Sequence, residues 1–212
     1  MNPTAIVPND LTWETAKTLD FGLDVTALHG RLDASFDWYT RRTTDILMSG
    51  TKLPAVLGAS VPKRNSGELK TNGWELSLKW RDQLSNGIRY DVGLVLSDYQ
   101  SEVVKFTGNP NKLLDTLYDG MKMGEIWGYE ADGFYSVDDF TDTSSWKLKD
   151  GVASIDGYNP RPGDVKFKNL IDDERGTNMI SSGDNTLTNP GDRKVIGNET
   201  PRYLYGINLG VD

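Results

Sequence analysis

Period-two alternation of apolar and polar residues recurs in five runs of this 212-residue chain and limits its fold more than any other feature. Successive side chains of a β-strand point to opposite faces, so each run describes a strand with two chemically different sides. In the first run Leu19, Phe21, Leu23, Val25 and Ala27 alternate with Thr18, Asp20, Gly22, Asp24 and Thr26. Beyond the turn Leu28-His29-Gly30-Arg31, Leu32, Ala34, Phe36 and Trp38 alternate with Asp33, Ser35, Asp37 and Tyr39. Trp74, Leu76, Leu78 and Trp80 form a third stripe against Glu75, Ser77 and Lys79, and Ser85-Asn86-Gly87 signals a tight hairpin. The fourth stripe is Ile88, Tyr90, Val92, Leu94 and Leu96, and the fifth is Tyr203, Tyr205, Ile207, Leu209 and Val211. The expectation is an all-β, antiparallel chain with strands at about 12–27, 32–48, 70–82, 88–100 and 202–212.

A soluble sheet with its apolar face on a core produces the same alternation in any single strand. Three features favour a membrane β-barrel instead. The connections are short at 28–31 and about 82–87, and long at about 48–70 and about 101–200, the asymmetry of outer-membrane barrels with short periplasmic turns and long extracellular loops. Aromatic residues mark the ends of the stripes: Trp38, Trp74, Tyr203 and Tyr205 towards the long loops, Trp80 and Tyr90 towards the turns. Leu19 to Ala27, at roughly 3.3 Å per residue and tilted about 40°, rises roughly 23 Å, close to the apolar band of such barrels. Asp20, Asp24, Asp33, Asp37, Glu75, Lys79, Arg89 and Asp91 would then face a lumen, where charge is tolerated.

Composition removes several alternatives. The net charge of −8, from 31 acidic and 23 basic residues, with no basic cluster visible along the chain, argues against nucleic acid. The absence of cysteine excludes disulfide scaffolds, thiolate zinc sites and thiol nucleophiles. The single histidine, His29, lies in a short turn and cannot by itself build a triad or a histidine-rich metal site. No apolar stretch approaches the roughly 18 residues of a transmembrane helix. Two other classes stay open: a soluble carbohydrate-binding β-sandwich, whose apolar faces would pack together, and a glycosidase using a carboxylate pair such as Asp20 and Asp24.

Five strands cannot close a barrel, because hydrocarbon does not tolerate the unpaired edges. The chain is therefore expected to be one piece of a larger barrel. The start, Met1 to Val7, carries no export signal, and the chain ends at Asp212 within an alternating run, which accords with that expectation.

The sequence resembles the late barrel strands of SusC/RagA-type TonB-linked outer-membrane proteins. The likeness rests on Asn9-Asp10-Leu11-Thr12-Trp13-Glu14, Leu19-Asp20-Phe21-Gly22-Leu23-Asp24, Phe36-Asp37-Trp38-Tyr39 and Thr43-Thr44-Asp45-Ile46-Leu47. It continues through Asn72-Gly73-Trp74-Glu75-Leu76-Ser77-Leu78, Gly124-Glu125-Ile126-Trp127-Gly128-Tyr129, Asp132-Gly133-Phe134-Tyr135, Pro162-Gly163-Asp164-Val165-Lys166-Phe167 and Asp192-Arg193-Lys194-Val195-Ile196-Gly197-Asn198. The order and spacing of these motifs cover nearly the whole chain. The resemblance implies a barrel of about 22 strands in the outer membrane of Bacteroidetes-type bacteria, occluded by a plug that is absent here. It implies import of oligosaccharide or peptide with a SusD-like surface lipoprotein, driven by the TonB system acting through the plug. It implies neither enzyme chemistry nor a cofactor.

Within the long connection, Trp127, Tyr129, Phe134, Tyr135 and Trp146 are candidate contacts for a sugar or for the lipoprotein, since aromatic rings offer rigid apolar area. Internal packing of a long loop is the competing use of the same rings. In the family the following region often looks like a calcium loop, which makes Asp172, Asp173 and Asp184 weak metal candidates. Here Ile171-Asp172-Asp173-Glu174-Arg175-Gly176-Thr177 places an arginine where an oxygen ligand would help, so a solvated acidic turn is expected and no metal is assigned.

Overall fold

The turns come first, because they set the register of everything else. Leu28 and His29 occupy the left-handed region (φ 55° and 59°) and Gly30 follows at φ 81°, so the chain reverses within a single 3-10 turn. At the second turn Gly87, at φ 95°, donates its N–H to the Leu84 carbonyl, while the Asn86 side chain accepts from the Ile88 N–H at 3.2 Å.

The computed structural model describes residues 9–49, 61–171 and 178–212. Its long strands are β1 (Thr15–Ala27), β2 (Leu32–Ser49), β3 (Lys63–Gln83) and β4 (Arg89–Phe106). Shorter ones follow: β5 (Glu125–Tyr129), β6 (Ala131–Phe134), β7 (Phe140–Asp142), β8 (Lys147–Leu148), β9 (Ser154–Ile155), β10 (Val165–Phe167), β11 (Met179–Ile180) and β12 (Arg193–Asn198). The chain then returns to the sheet as β13 (Leu204–Val211). The large sheet is antiparallel in the order β1-β2-β3-β4-β13, and within it β1 and β13 each pair on one side only. It is an unclosed segment of barrel wall.

The register aligns the five stripes on one face. One row runs Leu23–Phe36–Leu76–Leu96–Tyr205 across the five strands, and the next runs Val25–Ala34–Leu78–Leu94–Ile207. The stripe slips as it crosses the sheet. On β1 it spans Leu19 to Ala27, whereas on β4 it spans Leu96 to Tyr90, whose last row matches Val211 but lies beyond the end of β1. Such a diagonal band is what tilted strands require, because residues opposite one another in the ladder then sit at different depths.

The strands run further than the apolar stripes. β3 begins at Lys63 rather than near 70 and β4 continues to Phe106 rather than stopping near 100. Those extensions mix polar residues with Val103, Val104 and Phe106 without period-two alternation, so the pattern gave no sign of them. A bulge in β2 between Thr43 and Ile46, with Asp45 at φ 58°, is stitched by its neighbours. The Asn65 amide donates to the carbonyls of Asp45 (2.6 Å) and Thr12 (2.8 Å), its oxygen accepts the Thr12 N–H, and Glu14 accepts the Leu47 N–H at 2.8 Å.

The chain divides into two compact units. The first is Met1–Pro110, Tyr118–Met123 and Thr200–Asp212, and the second is Asn111–Leu117 with Gly124–Glu199. In the second, β5 pairs with β12, β6 with β10, β7 with β8 and β9, in parallel, with β11. Among the described residues its buried apolar side chains are Leu114, Tyr135, Phe140 and Ile180, accompanied by the fully buried carboxylate of Asp192.

Candidate functional site

Among the described residues of the first unit, the apolar stripe of the wall is exposed. Phe36 is 42% exposed although strands flank it on both sides, and Leu23 is 63% exposed. In a sandwich these side chains would sit against a second sheet, so the soluble β-sandwich is overturned. An uncovered apolar face of this extent needs hydrocarbon. Phe21, Trp38 and Trp74 lie in one cross-strand row at the long-loop end, with the Phe21 and Trp38 rings stacked at 6.1 Å. Trp80 and Tyr90 occupy the other edge, and Tyr205 and Tyr203 are largely exposed at the β13 end of the band. Phe21, which is not among the stripe-end aromatics read from the sequence, shares this row.

The opposite face is polar and charged. Arg81 pairs with Asp33, Lys79 lies 3.7 Å from Asp91, and the Thr26 hydroxyl donates to Asp33 at 2.9 Å. The Tyr39 ring lies over Gly73, where any Cβ would meet it at 2.4 Å, so an aromatic side chain fills the place that the glycine leaves open. Asp20 and Asp24 sit on this wall opposite Tyr39 and Ser35, and His29 is exposed in its turn. None of these three is assembled with a partner suited to acid–base or nucleophilic catalysis among the described residues.

One carboxylate breaks the outward stripe. Asp98 follows Leu94 and Leu96 on β4, stands opposite Trp74, and is 9% exposed. Arg202 holds it with two contacts of 2.5 Å, from Nε and Nη2, while the guanidinium lies 5.3 Å from the Tyr203 ring centroid. Because the apolar band has slipped downwards by β4, this pair sits just beyond the edge of the band and not in its middle.

The second unit shows what the candidate aromatics do. Tyr135 is buried; its hydroxyl donates to the Ala153 carbonyl at 2.7 Å, and burial raises its pKa. Phe140 lies beside it, with ring centroids 6.2 Å apart, and Trp146 packs edge-on against Phe140 at 5.4 Å. Trp146 takes a φ of 53° after the turn closed by Asp142, which accepts from the Ser144 N–H and from the hydroxyls of Ser144 and Ser145. Those hydrogen bonds hold the Asp142 carboxyl at about 2. Tyr129 packs on Phe167 at 5.6 Å, and Trp127 is half-buried in β5 opposite Val195. Phe134 stands apart at 68% exposed, paired in the ladder with Val165.

Sequence reasoning missed the polar skeleton that positions these rings. The buried Asp192 carboxylate accepts the N–H groups of Leu170 (2.6 Å), Ile171 (3.0 Å) and Ser181 (2.7 Å). Arg193 donates to Asn185, Ser182 and Pro190, tying the 182–190 turn to β12. Glu130 binds both Lys168 and Lys194, and the two ammonium groups lower its pKa to about 2. Asp184 accepts from the Thr186 hydroxyl (2.6 Å) and N–H (3.1 Å), which holds its carboxyl below the usual range. Asp172 and Asp173 lie outside the described residues, and among the described residues no group of three or more metal-binding side chains forms.

The family model described as TonB dependent receptor-like, beta-barrel matches residues 1–211. The chain is 30% identical to TonB-dependent receptor P3 of Formosa agariphila, covering 97% of this chain and 20% of that protein. It is 26% identical to TonB-dependent receptor SusC of Bacteroides thetaiotaomicron over 92% of this chain and 18% of that protein. A solved structure of the RagAB peptide transporter superposes with a TM-score of 0.61 at 20% identity, covering 97% of this chain and 20% of that one. The chain thus spans about a fifth of the length of these relatives, which are TonB-dependent receptors and a peptide transporter. An uncovered apolar band between aromatic girdles, a charged inner face and this likeness lead to one conclusion: the chain belongs to the TonB-dependent receptor-like β-barrel family of the outer membrane.

Proposed function

We propose that this chain supplies part of the wall and one large outer loop of a SusC-type importer, and that it performs no chemistry of its own. The carrying observation is the two-faced five-stranded wall, which separates a hydrocarbon-facing stripe from a water-facing array of carboxylates and cations. By the barrel asymmetry of short periplasmic turns, the 28–31 and 84–88 ends face the periplasm and the second unit belongs to the cell exterior. The whole receptor takes up oligosaccharide or peptide together with a SusD-like surface lipoprotein, and a plug elsewhere in the protein couples it to TonB. The RagAB peptide transporter, which shares this fold, supports the peptide class, and the oligosaccharide class rests on the resemblance to SusC-type proteins.

Of the five aromatic candidates, Phe134 is the one offered to a partner or cargo, since Tyr129, Tyr135 and Trp146 spend their faces on neighbouring rings and Trp127 is half-buried. The test is affinity purification of the tagged full-length receptor from its native membrane, with a photo-reactive phenylalanine analogue replacing Phe134. Co-purification of a surface lipoprotein, with a crosslink to it or to cargo, supports the reading. Purification of the receptor without such a lipoprotein and without a crosslink would overturn it.

A further inference from the structure

On the outward face, above the aromatic row, the fold assembles a basic notch that is invisible along the sequence. Lys17 of β1 stands opposite Arg42 of β2, and Arg42 stands opposite Lys70 of β3, so three cations occupy one continuous row. Their parity is that of Leu19, Trp38 and Trp74, which places them on the hydrocarbon-facing side of the wall. The three side chains line a pocket of about 310 Å³ together with Thr18, Leu19 and Thr40. Leu19, the upper end of the β1 apolar stripe, forms part of that lining, so the notch opens directly from the band that meets lipid.

Like charges directly opposite one another on paired strands are destabilising. Only part of this charge is answered from within. Arg42 pairs with Glu68, and Glu102, opposite Lys70, is engaged by Lys122. Among the described residues Lys17 and Lys70 have no carboxylate partner. In a chain of net charge −8, a row of cations at this depth concentrates positive potential where outer-leaflet headgroups lie.

We propose that the notch formed by Lys17, Arg42 and Lys70 binds the phosphate of an anionic outer-leaflet lipid, whose acyl chains run down the stripe that begins at Leu19. Lysine serves as a point charge for phosphate and arginine adds directional donors, while the aliphatic stems of all three extend the apolar surface upward. The inference rests on the outward face meeting lipid and is independent of which cargo is imported.

The test uses the full-length receptor in detergent micelles, with native mass spectrometry of lipid adducts after addition of phosphorylated lipid A. Parallel samples receive the same lipid without its phosphate, phosphatidylcholine, or inorganic phosphate as competitor. The expected result is retention of the phosphorylated lipid by the native receptor, and loss by about tenfold or more in Lys17→Glu/Lys70→Glu. Lys17→Arg/Lys70→Arg, which keeps the charge, should retain it, and heat-modified mobility identifies any variant that has not assembled. If only the charge-reversed form fails to assemble, Lys17→Gln/Lys70→Gln is used and should show the same direction of loss. Equal retention of the lipid lacking phosphate, equal retention by an assembled charge-removed variant, or full displacement by millimolar inorganic phosphate would each overturn the proposal.

Discussion

The barrel wall and the loop unit use the same kinds of residue in opposite senses. In the wall, Leu23, Phe36 and Tyr205 share one face and are exposed, while Asp33 and Arg81 pair on the other face. In the loop unit, Tyr135, Phe140 and Ile180 point inward, and the buried charge of Asp192 serves backbone N–H groups. The difference lies in the solvent each apolar surface is built to meet. A wall segment gains its apolar burial from lipid and depends on hydrogen bonding between strands, whereas a loop in water must bury its own rings and satisfy the backbone that turns around them.

That contrast sets the order of expected effects in the full-length receptor. Asp192→Ala should be the most damaging to the loop, since it removes the buried carboxylate that accepts three backbone N–H groups, at a cost of about 3–5 kcal/mol. Faster amide hydrogen exchange across residues 124–199, with the wall unchanged, would show it; uniform loosening of both regions would blur the division. Leu23→Arg should cost about 2–4 kcal/mol by placing a cation near the bilayer midplane, and should reduce the heat-modifiable, assembled fraction. Asp24→Asn, one residue further and on the other face, should leave that fraction unchanged. Tyr135→Phe removes the hydrogen bond to Ala153 but keeps the ring, so the loop should lose only about 0.5–1.5 kcal/mol, measurable as a modest gain in protease sensitivity.

The smallest effect is electrostatic. Glu130 titrates near 2 in the folded loop against an ordinary value of 4.5, because Lys168 and Lys194 favour its charged form. A depressed carboxylate contributes stability above its unfolded pKa and loses it as pH falls through the folded one. Limited proteolysis of the loop should therefore be flat above about pH 4.5 and rise between there and about pH 2. Glu130→Gln, which lacks that titration, should remove this part of the pH dependence.

The sequence disclosed the wall more readily than the loop, for a physical reason. Lipid imposes a period-two pattern on each strand, and the stripes from Leu19, Leu32, Trp74 and Tyr90 follow directly from it. The bulge at Asp45 and the extension of β3 to Lys63 lie where Lys63, Arg64 and Asn65 pair with Ser49, Met48 and Leu47, a mixture of polar and apolar residues that leaves no periodic mark. Phe134 and Tyr135 illustrate the limit for the loop. Adjacent strand residues must face opposite ways, yet nothing in the Asp132-Gly133-Phe134-Tyr135 motif says which ring goes inside. The basic row is a further case: Lys17, Arg42 and Lys70 are far apart in sequence and meet only through strand register.

The central claim is that one face of this sheet meets lipid and the other meets water. This chain contains no cysteine, so in the full-length receptor, with any cysteine elsewhere replaced, strand β4 can be scanned by single-cysteine substitutions at Val92, Gly93, Leu94, Val95 and Leu96 and a water-soluble maleimide applied to intact outer membranes. The expected result is period-two labelling, with positions 93 and 95 reactive and positions 92, 94 and 96 protected until detergent is added. Uniform labelling along the strand, or protection of positions 93 and 95 instead, would contradict the assignment of faces.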